Sequence, residues 1–570
     1  MRLFLQGLIV CFLLASCAPA TPMPATPTSS PTTAPTLAPT VTSSPPPPPE
    51  HRIGIRVIDG VGEFYDRVTG EKFIPRGMNY VRLGNQLNPY GETSFYNSVF
   101  DPDKYDAMRI GIALQQMHDG GYNVARVFLS QNTIGAAHGG LSEAYMENIA
   151  DFLRQAKQNQ IYVMFTQDWL PAGKYDSIMR RDCCDTFTSM NLHFLSPAGL
   201  EANIAFFQDF VQYLINLRAP TDAIFSYQLR NELYFDSNLP PLSLTQGTIT
   251  AADGKTYDMS SAQDKTNMVD ENLVYWIDSV RAAILEKDPT ALVNVGFFVP
   301  QGPNPARLGD ARLAVTAPAI WESQADFIDL HAYPGFELNL QQHVENFGVN
   351  DMQVKPILMG EFGGEVSRFV STELAAQRLI NWQVESCKYG FDGWLFWTWD
   401  TTEQPDFFNA RMDDGRIATA LSPLNRPDAC SAGTSLNSPT NLALNASVTA
   451  TRARADEPTR NAIDGAPETI WNSGRDATQW IELDLGKPYT LTSLRLIVSQ
   501  YPEGNTTHQV WVRGANGVLK LIHELKGETT DNQVLEFSPD FPIANVQVIR
   551  IVTTQSPSWV AWREIEVFGR

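Results

Sequence analysis

Two glutamates, at positions 232 and 361, stand where this chain could do chemistry. Glu232 follows Asn231 at the end of the apolar run 223–229, and Glu361 sits in Gly360-Glu361-Phe362-Gly363, just after the apolar run 356–359. Each lies where a buried parallel strand would stop and open into a loop, the place where barrel enzymes keep their reacting side chains. Two carboxylates so placed can cleave a glycosidic bond by the retaining route, one as acid and then base, the other as nucleophile. An Asn-Glu dipeptide alone carries little weight in a chain of 570 residues, so position and company must supply it.

The company is a β/α text. Residues 52–66, followed by Thr69-Gly70 and 72–75, read as an entry hairpin. Strand-like apolar runs follow at 75–80, 122–128, 161–165, 224–229, 291–296, 327–331, 356–360 and 393–397. Amphipathic stretches such as 141–158, 200–218, 265–287 and 371–389 separate them, the alternation of a parallel sheet with covering helices. Eight such units predict a (β/α)8 barrel over 51–430, with 236–262 as its largest loop insertion. After a small, polar linker at 431–440, short β-rich strings recur to residue 570 with turn residues between them. That pattern predicts an all-β sandwich over 441–570. The expected fold class is therefore α/β, a TIM barrel followed by an all-β sandwich.

Over residues 70 to 405 the motifs resemble the retaining glycosidases of clan A, most closely glycoside hydrolase family 5. Asn231-Glu232 is similar to the family's fourth-strand pair, and Glu361 to its seventh-strand nucleophile. His331-Ala332-Tyr333 is similar to its sixth-strand His-x-Tyr, Arg126 to its second-strand arginine and Trp397 to its eighth-strand tryptophan. The resemblance implies Glu361 as nucleophile, held ionised by Arg126 and Tyr333, and Glu232 as acid/base, protonated at rest beside that charge. Asn231 would bond a sugar 2-hydroxyl, His331 would orient Glu232 or the sugar, and Trp397 would lie beneath the ring at the cleavage point. One departure concerns the third strand, where many members carry a histidine and this chain reads Thr166-Gln167-Asp168-Trp169-Leu170. Asp168-Trp169 with Tyr175 is similar to mannan-cleaving relatives, which makes Trp169 a further candidate sugar contact. The implied substrate is a β-linked gluco- or manno-configured polysaccharide, with no cofactor in the chemistry.

The last 130 residues resemble the discoidin-like type C domain, or carbohydrate-binding module family 32. Asn441-Leu442-Ala443, Asn461 to Gly465 with Thr469 and Trp471, Gln479 to Gly486, and Arg563 to Gly569 carry the likeness. The resemblance implies a glycan ligand held at loop tips, with Arg475, Tyr501, His508 and Trp559 as candidates and Trp471 and Trp562 in the core. It also implies a structural calcium, for which Asp464, Thr469 and Glu564 offer hard oxygen ligands. Ala466 stands where the family often has a second acid.

At the N-terminus, Arg2, the apolar stretch 3–14 and Leu14-Ala15-Ser16-Cys17 resemble a bacterial lipoprotein signal, with Cys17 as the lipidated residue. Residues 18–50 are rich in Pro, Thr and Ser, and at about 3 Å per residue such a tether reaches roughly 90 Å. These features predict an extracytoplasmic, membrane-anchored protein that acts as a monomer. The balance of 42 basic against 63 acidic side chains argues against nucleic acid as a partner. No His/Cys spacing resembles a zinc site. Cys183, Cys184, Cys387 and Cys430 are free to pair in an oxidising compartment, although adjacent cysteines rarely bridge each other. Two other readings stay open at this level: a surface glycan-binding protein with an inactive barrel, and a transglycosylase using the same residues.

Overall fold

The computed structural model describes residues 50–569, apart from 88–92, 137–138, 299–311, 314–316, 336–337, 370, 432–440, 516 and 540–541. The signal, Cys17 and the tether therefore lie outside the described residues, as does most of the linker at 431–440. No helix among the described residues is long and apolar enough to cross a membrane.

Eight parallel strands close a barrel. They are β1 (Arg76–Asn79), β2 (Val124–Leu129), β3 (Tyr162–Gln167), β4 (Ile224–Gln228), β5, β6 (Ile328–His331), β7 (Ile357–Phe362) and β8 (Phe391–Trp397). β5 is broken at Val295: Val293–Asn294 pairs with β4, and Gly296–Phe297 pairs with β6. The two halves together seal the ring, and β8 pairs with β1. A helix follows each strand: α1 (Ala107–Asp119), α2 (Glu143–Gln158), α3 (Pro197–Asn216), α4 (Ala262–Leu285), α5 (Ala317–Glu322), α6 (Leu340–Phe347), α7 (Thr372–Ser386) and α8 (Met412–Leu421). α2 shows why these stretches are helical. Met146, Ile149, Ala150, Leu153 and Ala156 recur every three or four residues and are all buried, while its charged residues face outward. Ser261 and Ser371 cap the first turns of α4 and α7 with side-chain bonds to Asp264 N and Leu374 N.

The barrel interior is layered. At the bottom, Val124, Met164, Phe225, Leu292, Phe327, Leu358 and Leu395 pack on Ile53 and Phe64 of the hairpin Ile53–Ile58/Val61–Asp66, which plugs that end. Two residues further along the same strands the inward side chains turn polar: Val124 gives way to Arg126, Met164 to Thr166 and Phe327 to Asp329. Side chains on a strand alternate, so these successors point into the same interior. An apolar floor thus supports a polar layer, and the loops open above it.

The C-terminal region is antiparallel throughout. Its long strand Gln479–Val498 pairs with Ile543–Gln555 over its first half and with Ala561–Gly569 over its second. Trp471, Ile481, Leu496, Val510, Ile551, Trp562 and Ile565 form its buried core. Arg495 joins this region to the barrel: it bonds Glu566 Oε2 at 2.9 Å, Ser371 Oγ at 3.0 Å and Glu373 Oε2 at 3.4 Å. Cys387 bridges Cys430. The sulfurs of the neighbouring Cys183 and Cys184 face each other.

Candidate active site

Arg126 organises the mouth of the barrel. Its side chain rises from β2 fully buried, and every branch of the guanidinium is used. Nη1 donates to Glu361 Oε1 at 2.5 Å and to Asn79 Oδ1 at 2.8 Å. Nη2 donates to Asn231 Oδ1 and to Gln228 Oε1, both at 2.7 Å, and Nε reaches the same Gln228 oxygen at 3.1 Å. One cation therefore fixes β1, β2, β4 and β7 in register, and a planar fork suits that task better than a lysine would. Asn231, its Oδ1 taken by Arg126, keeps its amide donor for another partner.

Glu361, at the end of β7, is 5% exposed. Its second oxygen accepts from the Tyr333 hydroxyl at 2.8 Å. Glu232 lies past the end of β4, with its side chain 35% exposed. Its φ of 43° is in the left-handed region, a conformation that costs a bulky residue about 1 kcal/mol or more and turns the chain sharply. Asn231 N still bonds Gln167 O, and Leu233 N bonds Gly296 O, each at 2.8 Å, so the turn is clamped on both sides. His331, at the end of β6, bridges the two acids: Nδ1 is 3.1 Å from Glu232 Oε1 and 3.5 Å from Glu361 Oε2. One oxygen of each glutamate and one imidazole nitrogen lie within 4.8 Å of one another.

Electrostatics depart from the sequence-based expectation. Burial pushes Glu361 up, and the opposing charges of His331 and Arg126 do not fully offset it. Burial also raises Glu232, but the His331 hydrogen bond and charge outweigh it and hold Glu232 below its usual value. The expected order, with Glu361 low and Glu232 high, is thus reversed. The reason is His331, which burial alone would neutralise but which Glu361, Asp329 and Glu232 raise to about 10.

Trp397 stands half-buried at the end of β8. Its indole N–H donates to Gln404 Oε1 at 2.9 Å, and its ring meets Phe128 edge-on at 5.8 Å. These contacts fix the plane of a flat apolar surface near the acids. Trp169 is placed differently. Arg230 lies over one face at 4.5 Å and His193 meets its ring at 5.5 Å. Arg230 in turn pairs with Asp168 at 2.7 Å, and the Tyr96 hydroxyl, from the hairpin Leu83–Leu87/Thr93–Asn97, bonds that same carboxylate. Trp169 therefore belongs to a braced wall beside Asn231-Glu232 rather than offering both faces bare. Sequence reading missed Asn79, Gln228, Asp329 and Arg230. For Asp329 a signal existed: it stands two residues before His331, so strand alternation puts both on one face.

In the C-terminal domain a cavity of about 560 Å³ opens among Asn472, Asp476, Tyr501, Asp531, Trp559 and Arg563. Tyr501 is 90% and Trp559 47% exposed. Arg475 is exposed nearby but does not line it. His508 is a correction: it is buried, bonded to Thr553 Oγ1 at 2.9 Å and packed on Trp562 at 4.7 Å. Its place within the strand Gly504–Arg513, rather than a loop tip, put it there. Asp464, Thr469 and Glu564 do converge. Thr469 Oγ1 bonds Asp464 Oδ2 at 2.9 Å and the Ala466 carbonyl at 2.8 Å, while Glu564 Oε1 accepts from Gly465 N at 3.1 Å. Glu564 Oε2 is buried without a hydrogen-bond partner, so this all-oxygen cluster fits a hard cation.

Comparison with known proteins bears on the two regions separately. The family model for the F5/8 type C domain matches residues 445–565, which makes the C-terminal region a domain of that type. No curated protein matches the chain. The family 32 module of C. perfringens NanJ, solved in complex with galactose, is 23% identical, with a TM-score of 0.21 over 23% of this chain and 98% of that one. The exo-β-1,4-mannosidase Op5Man5 from Opitutaceae bacterium strain TAV5 is 18% identical, with a TM-score of 0.45 over 68% of this chain and 64% of that one. The β-mannanase of the blue mussel Mytilus edulis is 14% identical, with a TM-score of 0.41 over 68% of this chain and 100% of that one.

Proposed function

We propose that the barrel is a retaining β-glycosidase acting on a β-linked manno- or gluco-configured polysaccharide, and that the C-terminal domain holds the enzyme to glycan. The observation that carries the reading is the pair Glu232 and Glu361, each with an oxygen within 4.8 Å of the other's. A close carboxylate pair of this kind suits double displacement, whose carboxyls stand about 5–5.5 Å apart.

In this reading Glu361 attacks the anomeric carbon while Glu232 gives its proton to the departing oxygen. Arg126 and the Tyr333 hydroxyl hold the nucleophile in place. Water then adds to the glycosyl-enzyme, with Glu232 taking its proton. Asn231 Nδ2 is the donor for the 2-hydroxyl, and Trp397 supports the sugar face. In the C-terminal domain Tyr501 and Trp559 offer stacking surfaces and Arg563 a hydrogen-bond donor. Asp464, Thr469 and Glu564 would hold a calcium ion as a structural group. The lipobox-like string ending at Cys17 and the Pro/Thr tether support an enzyme anchored outside the cytoplasm and held off the membrane.

Reducing-sugar release from β-mannans, β-glucans and xylans, by wild type beside Glu361→Ala, tests the reading. Release by the wild type that vanishes in the variant supports it and names the backbone sugar. Binding by both with release by neither would replace it with a surface glycan-binding role.

A further inference from the structure

Beneath the two glutamates lies a buried acid that the scheme above leaves unused. Asp329 and His331 project from β6 into the same interior, and both are fully buried. Asp329 Oδ2 accepts from Gln228 Nε2 and lies 3.7 Å from His331 Nε2. Its other oxygen packs so tightly on Gly360, the residue before Glu361, that a Cβ there would collide with it. On the far side of the imidazole, Nδ1 faces Glu232 and Glu361 at 3.1 and 3.5 Å. The groups around the ring are thus Asp329 from β6, Glu361 from β7, Glu232 beyond β4, Arg126 from β2 and the Tyr333 hydroxyl beyond β6. Three acids face one arginine. Unbalanced charge is costly in such a place, and one proton on the imidazole relieves it.

We propose that Asp329 is a positioning residue that, through His331, stores the acid proton of the reaction on the His331–Glu232 pair. The inference rests on the glycosidase reading. The imidazolium passes its Nδ1 proton to Glu232, and Glu232 passes it to the glycosidic oxygen as the C1–O bond breaks and the Glu361–C1 bond forms. In the second half, Glu232 removes a proton from the attacking water, the Glu361–C1 bond breaks, and the proton returns to the pair. Charge and atoms balance with water as the sole co-reactant. The three acids raise His331 to about 10 in spite of its burial. Asp329 does this without touching substrate, because both faces of its carboxylate are covered by Gln228, Gly360 and the imidazole.

The test is the protonation of His331 in the full chain, read by NMR of ¹⁵N-histidine-labelled protein and assigned by the signal lost in His331→Asn. Asp329→Asn keeps the shape and an acceptor for Gln228 while removing the charge. The wild type is expected to show an imidazolium at pH 8, and Asp329→Asn a midpoint lower by at least about one pH unit. The alkaline limb of kcat/KM should fall by the same interval with KM little changed. A merely structural Asp329 would leave both midpoints alike, and that result overturns the proposal. A neutral wild-type ring at pH 7 overturns it as well, even if the variant does not fold. Absence of turnover by the wild type would sink the glycosidase reading, whereas the titration judges Asp329 independently of it.

Discussion

His331 and His508 are both buried, one in the barrel and one in the sandwich, and their environments drive them to opposite charge states. His508 touches Thr553 and Trp562, so burial holds it down to about 4 and the ring stays neutral. His331 faces three acids and is raised to about 10. The buried glutamates differ in the same way. Glu361 has Arg126 at 2.5 Å, a tyrosine hydroxyl and a histidine. Glu564 has a backbone amide and an oxygen without a hydrogen-bond partner. Burial alone neutralises a group; only a matched set of opposite charges makes it a tool for moving protons. The barrel carries that set, whereas in the sandwich one oxygen of the buried Glu564 has no hydrogen-bond partner.

Breaking the barrel side of this contrast should have the largest effect. Glu361→Ala is expected to lower kcat by about 10⁴-fold or more, measured on whichever polysaccharide the wild type cleaves. Arg126→Met should cost about 3–5 kcal/mol of stability, because it leaves Glu361 buried without its cation; denaturant unfolding reads this. A loss under 1 kcal/mol would show that Arg126 does not hold the site together.

On the sandwich side, His508 is the sharper probe. Its folded pKa lies below its unfolded value, so its contribution is present above about pH 6.5 and is lost as pH falls toward 4. That loss should approach about 3 kcal/mol and be absent from His508→Gln, as thermal midpoints across this range will show. Calcium at a hundred times its Kd should raise stability by about 2.7 kcal/mol, with chelator reversing the shift and Glu564→Gln abolishing it. No change in melting with either treatment would remove the metal from the account. Trp559→Ala is the mildest change. It should weaken binding to insoluble polysaccharide by about 1 kcal/mol, the worth of one stacking contact, and leave kcat on short soluble substrates unchanged.

The sequence made some of this contrast readable. Strand ends, Asn231-Glu232, His331-Ala332-Tyr333 and Glu361 were legible because strand alternation and motif order are local properties. The barrel and sandwich classes followed from periodicity for the same reason. The charge order of the two glutamates was not legible, since it depends on an imidazole that arrives from a strand a hundred residues away. Trp169 also escaped, because Arg230 covers it from the next strand through an ion pair with Asp168. His508 looked like a loop residue until the long strand Gly504–Arg513 buried it. In each case the deciding partner lies far along the chain, where composition and spacing carry no distance.

The most direct test of the barrel's assignment is to trap its intermediate. A 2-deoxy-2-fluoro-β-glycosyl fluoride of the sugar that the wild type releases should slow both steps and leave a glycosyl-enzyme long-lived enough for peptide mass spectrometry. The account predicts one fluoroglycosyl adduct on the peptide bearing Glu361, and none in Glu361→Gln. An adduct on another residue, or turnover with inverted anomeric configuration and no adduct, would contradict it.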